Sequence, residues 1–150
     1  MNIFCDTNII VEYLERRLQY QAVEQVLKLP TDEYKLYLSE GSFYTITFLV
    51  DKQLRRSEIY NPERLEKERK ILSRILDTFE IAHADKEGLT QGITSESFKD
   101  LEDSYQYQAA LNCGADVLLT INIKDFQEGD STLVRVLTPQ EFVAELENVK

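Results

Sequence analysis

The chain has 150 residues, 43% apolar and 29% charged, which suits one packed domain over 1–150 and excludes a disordered tail. Its formal net charge of −10 disfavours a general nucleic-acid binder held by phosphate attraction. No run approaches the roughly 20 apolar residues of a membrane span, and the order of a secretory leader is missing, so a cytoplasmic location is expected.

Residues 2–5, "NIFC", read as a short strand, and Ile9, Ile10, Tyr13, Leu14 and Arg17 follow at helical spacing. A second helical stretch carries Ala22, Val23, Val26 and Leu27 and stops before Pro30. "YKLYLS" at 34–39 alternates as a strand does, and Phe43, Ile46, Thr47, Val50 and Leu54 then mark a helix over 41–55. Asn61 and Pro62 signal another helix start, with Asn61 as N-cap and Pro62 at the first helical position, running to about Phe79.

"FEIAHA" predicts a strand, and the polar, glycine-containing segment 85–99 predicts a loop with at most one helical turn. Asp100 can cap a helix that carries Leu101, Tyr105 and Ala109 and ends at Gly114. "DVLLT" at 116–120 is apolar throughout, as a strand covered on both faces must be. "TLVRVLT" predicts a last strand, and a helix starts near Pro139. Strands alternating with helices and no internal repeat imply an α/β fold with a mostly parallel sheet.

Ligands bind such sheets beyond the carboxyl ends of the strands. Asp6 stands there after the first strand, Asn122 and Asp125 after "DVLLT", and Asp103 in the first turn of the preceding helix. Converging carboxylates raise one another's pKa values unless a cation sits among them, and oxygen ligands of this kind suit Mg²⁺ or Mn²⁺. Thr7, Asn8 and Thr120 are placed to orient them. Each residue also has a plainer reading: Asp-Thr-Asn as a turn and cap, Asp100 and Asp103 as acids at a positive helix end, Asp125 as a loop residue.

The two cysteines, Cys5 and Cys113, are far apart and read as small buried residues. The single histidine, His83, rules out acid–base chemistry by a histidine pair and reads as a strand-end residue. Lys52, Arg55, Arg56, Arg64, Lys67, Arg69, Lys70 and Arg74 gather positive charge in the middle of the chain, where i,i+4 ion pairs on a solvated helix face account for it.

"DTNIIVEYL", "DLEDSYQYQAALNCGADVLLTINIKDF" and "VRVLTPQEFVAEL" together resemble the PIN domain, in particular the bacterial toxins of the VapC type. The likeness spans nearly the whole chain, with 41–99 contributing least. It implies a PIN-like three-layer α/β/α fold and metal-dependent cleavage of RNA by Mg²⁺ or Mn²⁺. Asp6 and Asp103 would be the principal acids, Asp125 a further metal ligand, and Asp100 a supporting acid. The resemblance also implies a cognate antitoxin that inserts a peptide near the acids. With the apolar stripes on 9–28 and 42–79, it implies a homodimer as well.

Two positions depart from the family pattern. A glutamate expected six residues beyond Ser39 is Thr45, with Glu40 acidic but out of register, and an aspartate expected two residues after Thr120 is Asn122. A non-catalytic binding module on the same fold is therefore the competing expectation. A phosphoryl-accepting receiver domain would need a different order of acid and base along the strands.

Overall fold

The computed structural model describes residues 1–126 and 133–149. Five strands, β1 (Asn2–Cys5), β2 (Lys35–Ser39), β3 (Glu80–Ala82), β4 (Val117–Leu119) and β5 (Arg135–Leu137), form one sheet in which every neighbouring pair is parallel. Their order is β3-β2-β1-β4-β5. The chain builds outward from β1 to β3, returns to the centre and builds outward through β4 to β5. A topological switch therefore lies between β1 and β4, the place where such sheets open a crevice at their carboxyl edge.

The two-residue period of the strands sorts the core into two layers. Ile3, Cys5, Leu36, Leu38, Val117 and Leu119 pack against α1 (Thr7–Leu14), α2 (Tyr20–Leu27), α3 (Glu40–Arg56), α4 (Glu63–Thr78) and α7 (Pro139–Val149) through Ile9, Val23, Ile46, Ile75 and Phe142. Phe4 and Leu118 face the opposite way, onto Tyr107, Ala109 and Ala110 of α6 (Leu101–Asn112) and onto Phe126. The result is a three-layer α/β/α sandwich, and β4 is apolar at every position because both of its faces are covered.

The largest departure from the expected elements is α5 (Lys86–Thr94), a nine-residue helix where a loop was expected. Asp85 caps it by accepting from the Gly88 amide at 2.8 Å, and the Thr90 and Thr94 hydroxyls donate back to the carbonyls of Lys86 and Thr90. Its glycines serve packing rather than a turn. A Cβ on Gly92 would sit 2.9 Å from the Tyr105 ring, so glycine is what lets α5 press onto α6.

Smaller shifts follow from the ends of elements. Pro62 occupies the N-cap position of α4, one residue later than expected, while Asn61 Oδ1 still accepts from the Leu65 amide at 3.2 Å. The last strand is limited to Arg135–Leu137, and Thr132, its expected first residue, lies outside the described residues. Gly114 ends α6 at φ +64°, a left-handed conformation that glycine adopts without strain. The basic middle segment is partly held by i,i+4 pairs, Arg55 with Asp51 and Lys67 with Glu63. Arg64 bridges α3 and α4 by pairing with Asp51 and Glu68.

Candidate active site

Asp6 follows β1 directly and stands at the N-cap of α1. Its backbone amide continues the sheet, donating to Leu119 O at 2.9 Å, which fixes the residue against the end of β4. The carboxylate is buried and held at both oxygens. Oδ1 accepts from the Thr7 amide at 2.8 Å and Oδ2 from the Thr120 hydroxyl at 2.9 Å. Burial dominates its ionisation all the same: it pushes Asp6 up to about 6, against the lowering by Thr120 and Thr7 and with a further push from Glu102 and Asp125.

Thr120 is the hub between the two central strand ends. Its oxygen accepts from Asn8 Nδ2 and from the Asn122 amide, each at 3.2 Å. Asn8 Oδ1 in turn accepts from the Ile121 amide at 3.2 Å. Thr7, Asn8 and Thr120 thus stitch the first turn of α1 to the exit of β4, across the switch point. Asn122 contributes backbone to this junction; its carbonyl accepts from the Asp125 amide at 3.2 Å in the 3-10 turn Ile123–Phe126, and both side chains are exposed.

Asp103, in the first turn of α6, lies within the electrostatic reach of Asp6 and Asp125. Asp100 caps that helix by accepting from the Glu102 amide at 2.8 Å, which sets Glu102 and Asp103 in the first turn. Asp103 is half-buried, and its carboxyl is pushed up to about 7, first by burial and then by the charges of Asp6, Asp125, Asp100 and Glu102. Five acids therefore share one electrostatic field. Asp6 and Asp103 carry most of its consequence.

Beside Asp6, a buried polar cluster joins three elements. Gln106 of α6 donates from Nε2 to Thr7 Oγ1 at 2.9 Å and to Ser42 Oγ of α3 at 2.5 Å. The same nitrogen lies 3.5 Å from Asp6 Oδ1. Ser42 bonds with Thr7 at 2.6 Å and accepts from the Ser39 hydroxyl at 2.9 Å. Sequence reasoning missed Gln106, Ser42 and Glu102. The available signal was Gln106 itself: it follows Asp103 by three residues, and so shares its helix face, in a stretch that otherwise packs Tyr107, Ala109 and Ala110.

Glu40 opens α3 and is exposed. Its carboxylate accepts from the Tyr44 hydroxyl at 2.9 Å and lies 2.9 Å from His83 Nδ1, so it engages its own helix and the end of β3 rather than Asp6 or Asp103. Thr45 is also exposed and donates to Gly41 O at 3.2 Å. Both line a groove of about 540 Å³ with Ala82, Leu89, Glu102, Tyr105 and Gln106, between the first turns of α3 and α6. Cys5 and Cys113 stay outside this chemistry, since burial pushes both thiols up and keeps them protonated.

Among the described residues, no three His, Cys, Asp or Glu side chains converge closely enough to hold a metal on their own. Asp6 and Asp103 nevertheless fit a hard divalent cation. They offer oxygen donors only, both are pushed toward neutrality first by burial and then by neighbouring negative charge, and Mg²⁺ commonly keeps several waters beside one or two carboxylates. A positive ion would favour the charged form of both against the burial and the repulsion that raise them.

The comparisons with known proteins agree with this architecture. The profile of the PIN domain family matches residues 2–124. Ribonuclease VapC1 of Aquifex aeolicus (strain VF5) is 29% identical over 146 residues, which cover 93% of this chain and 92% of that protein. The structure of VapBC2 from Rickettsia felis bound to a DNA fragment from their promoter superposes with a TM-score of 0.65 at 17% identity, covering 92% of this chain and 98% of that one. VapBC-1 from nontypeable Haemophilus influenzae gives 0.62 at 20% identity, covering 93% and 99%. No helix among the described residues is long and apolar enough to cross a membrane.

Proposed function

The chain belongs to the PIN domain family, and from that premise we propose that it is a metal-dependent ribonuclease of the VapC kind, the toxin of a toxin–antitoxin pair. What supports the reading is a buried Asp6 at the switch point of the sheet whose charge is felt by Asp103, each carboxyl raised first by burial and then by other acids. Asp6 and Asp103 would hold the ion, with Asp125 and Asn122 exposed beyond the end of β4. When bound, Mg²⁺ or Mn²⁺ supplies a polarised phosphate oxygen and a water acidified for in-line attack at phosphorus.

The chain's own residues prepare that site. The Thr7 amide and the Thr120 hydroxyl fix both oxygens of Asp6, so its lone pairs are already aimed before a ligand arrives. Asp100 holds the first turn of α6 and thereby places Asp103. The net charge of −10 disfavours RNA at long range, so binding must come from close contacts and from neutralisation of the acids.

An antitoxin is the partner this reading requires. A cleft of about 560 Å³ between α1, α3 and α4, apolar at Val11, Leu14, Ile46 and Ile71 and charged at Glu15, Arg16 and Arg56, suits an amphipathic segment of it. Tyr44 and Phe48 are exposed on α3 and support a homodimer through that helix. Light scattering during gel filtration checks this directly, and a monomer at high concentration would remove it.

The deciding experiment incubates purified protein with a structured and an unstructured RNA in Mn²⁺, Mg²⁺ or a chelator, with Asp6→Asn in parallel. Cleavage by wild type only, and only with metal, is the expected result. Failure to cleave, together with no heat of Mn²⁺ binding, would support instead a binding module, to which Thr45 in place of the family's glutamate already lends weight.

A further inference from the structure

Gln106 has more to hold than a packing residue needs. Its side chain is almost wholly buried, yet Oε1 has no hydrogen-bond partner, while Nε2 has two hydroxyl oxygens in reach and a third acceptor at 3.5 Å. An orphaned buried carbonyl costs roughly 1–3 kcal/mol, and a glutamine kept for structure alone would be satisfied at both ends. Turning the amide over would set its oxygen against Asp6 Oδ1, so the carboxylate fixes which end faces the site.

That orientation has a consequence for the hydroxyls. Nε2 spends its two hydrogens on Thr7 and Ser42. Ser42 Oγ then has both lone pairs filled, one by Gln106 and one by the Ser39 hydroxyl, so its own hydrogen must go to Thr7, 2.6 Å away. Thr7 Oγ1 now accepts from Gln106 and from Ser42. With both lone pairs occupied, it can meet any further group only as a donor.

We propose that Gln106 is a positioning residue that makes the Thr7 hydroxyl an obligate hydrogen-bond donor at the acid site, available to an anionic oxygen of the RNA phosphate or to Asp6. The inference rests on the nuclease reading above. It assigns Gln106 no contact with substrate or ion; it acts through Thr7, whose amide holds Asp6 Oδ1.

A mutant cycle tests it, with kcat and KM for RNA cleavage and Mn²⁺ affinity by calorimetry as separate readouts. Gln106→Met keeps the volume and removes both N–H groups. The expected loss is about 10-fold or more in kcat with KM within about twofold, and Mn²⁺ binding weaker by about 10-fold, the lower end of the range found for groups that orient metal ligands. The loss persists in a Thr7→Ser background, which keeps the hydroxyl, and disappears in a Thr7→Val background, which lacks it.

Equal losses in the serine and valine backgrounds would overturn the proposal, as would a change confined to KM or to the melting temperature. Should Gln106→Met fail to fold, Gln106→Asn, which keeps the amide but withdraws it from Thr7, carries the same cycle. A wild type inert to RNA and to Mn²⁺ overturns the nuclease reading and this inference together. An active wild type matched by Gln106→Met overturns the inference alone.

Discussion

The Thr120 hydroxyl donates to Asp6 Oδ2 at 2.9 Å across 114 positions of sequence, joining the ends of the two strands that flank the switch point. Thr120 is fully buried, so its removal leaves a buried carboxylate oxygen short of a partner. Thr120→Val is expected to lower stability by about 1–3 kcal/mol in urea unfolding and to weaken Mn²⁺ binding. Unchanged values for both would mean that water replaces the hydroxyl and that Asp6 is not held in the way described.

Burial also fixes the sign of a pH effect. Asp6 moves from the ordinary carboxyl value of 3.8 to about 6 on folding, so the folded chain binds its proton more tightly than the unfolded one. Metal-free stability therefore falls as pH rises between about 4 and 6 and levels off above, losing about 3 kcal/mol from this group. Asp103, raised to about 7, adds the same sign over a window that extends higher.

Asp6→Asn removes that penalty. In chelator at pH 7.5 the variant should match or exceed the wild type in stability, and the difference should close toward pH 4, while cleavage is lost. Urea titrations at the two pH values decide it. A variant clearly less stable at pH 7.5 would show that the ionised carboxylate stabilises the fold instead.

Metal binding must expel the protons that burial retains. Mn²⁺ affinity is expected to climb by about tenfold or more from pH 6 to pH 8, with protons released on binding. Calorimetry in two buffers of different ionisation enthalpy counts those protons. A flat affinity profile with no release would contradict the raised carboxyls.

The packing of α5 on α6 makes a separate claim. A Cβ at Gly92 would lie 2.9 Å from Tyr105 Cδ1 and 3.3 Å from Ser104 Oγ, whose hydroxyl already donates to Gly92 O at 2.9 Å. Gly92→Ala should cost about 1–3 kcal/mol despite the better helix propensity of alanine. A neutral or stabilised variant would mean that the two helices separate easily.

Glu40 supplies a contrast. Its carboxylate is spent on Tyr44 and His83 and is exposed, so Glu40→Gln should change cleavage by less than about threefold, in line with the small worth of surface pairs. A loss as large as that expected for Asp6→Asn would bring Glu40 back among the acids that matter.

Local sequence determined most of the elements, because their signals are local. Ile3, Phe4 and Cys5 before a capping Asp6, the unbroken Val117–Leu119, and Asp100 and Gly114 at the ends of α6 each act within a few residues through burial period and backbone geometry. The expected parallel sheet, and with it Asp6, Asp103 and Thr120 at its carboxyl edge, follows from that alternation. The segment 86–94 defeated this reading because the value of Gly88 and Gly92 lies in what they touch, and Tyr105 and Gln108 belong to another helix.

Tertiary structure alone decided which polar groups meet. Hydrogen bonds reach only about 3 Å, and nothing in the linear chain records that Thr120 would fall on Asp6, that Gln106 would reach both Thr7 and Ser42, or that Glu40 would turn to His83. Nor could the sequence rank the acids. Asp6 and Asp103 differ from Asp125 because the folded core strips water from the first two and leaves the third exposed, and desolvation exists only once the chain has closed around them.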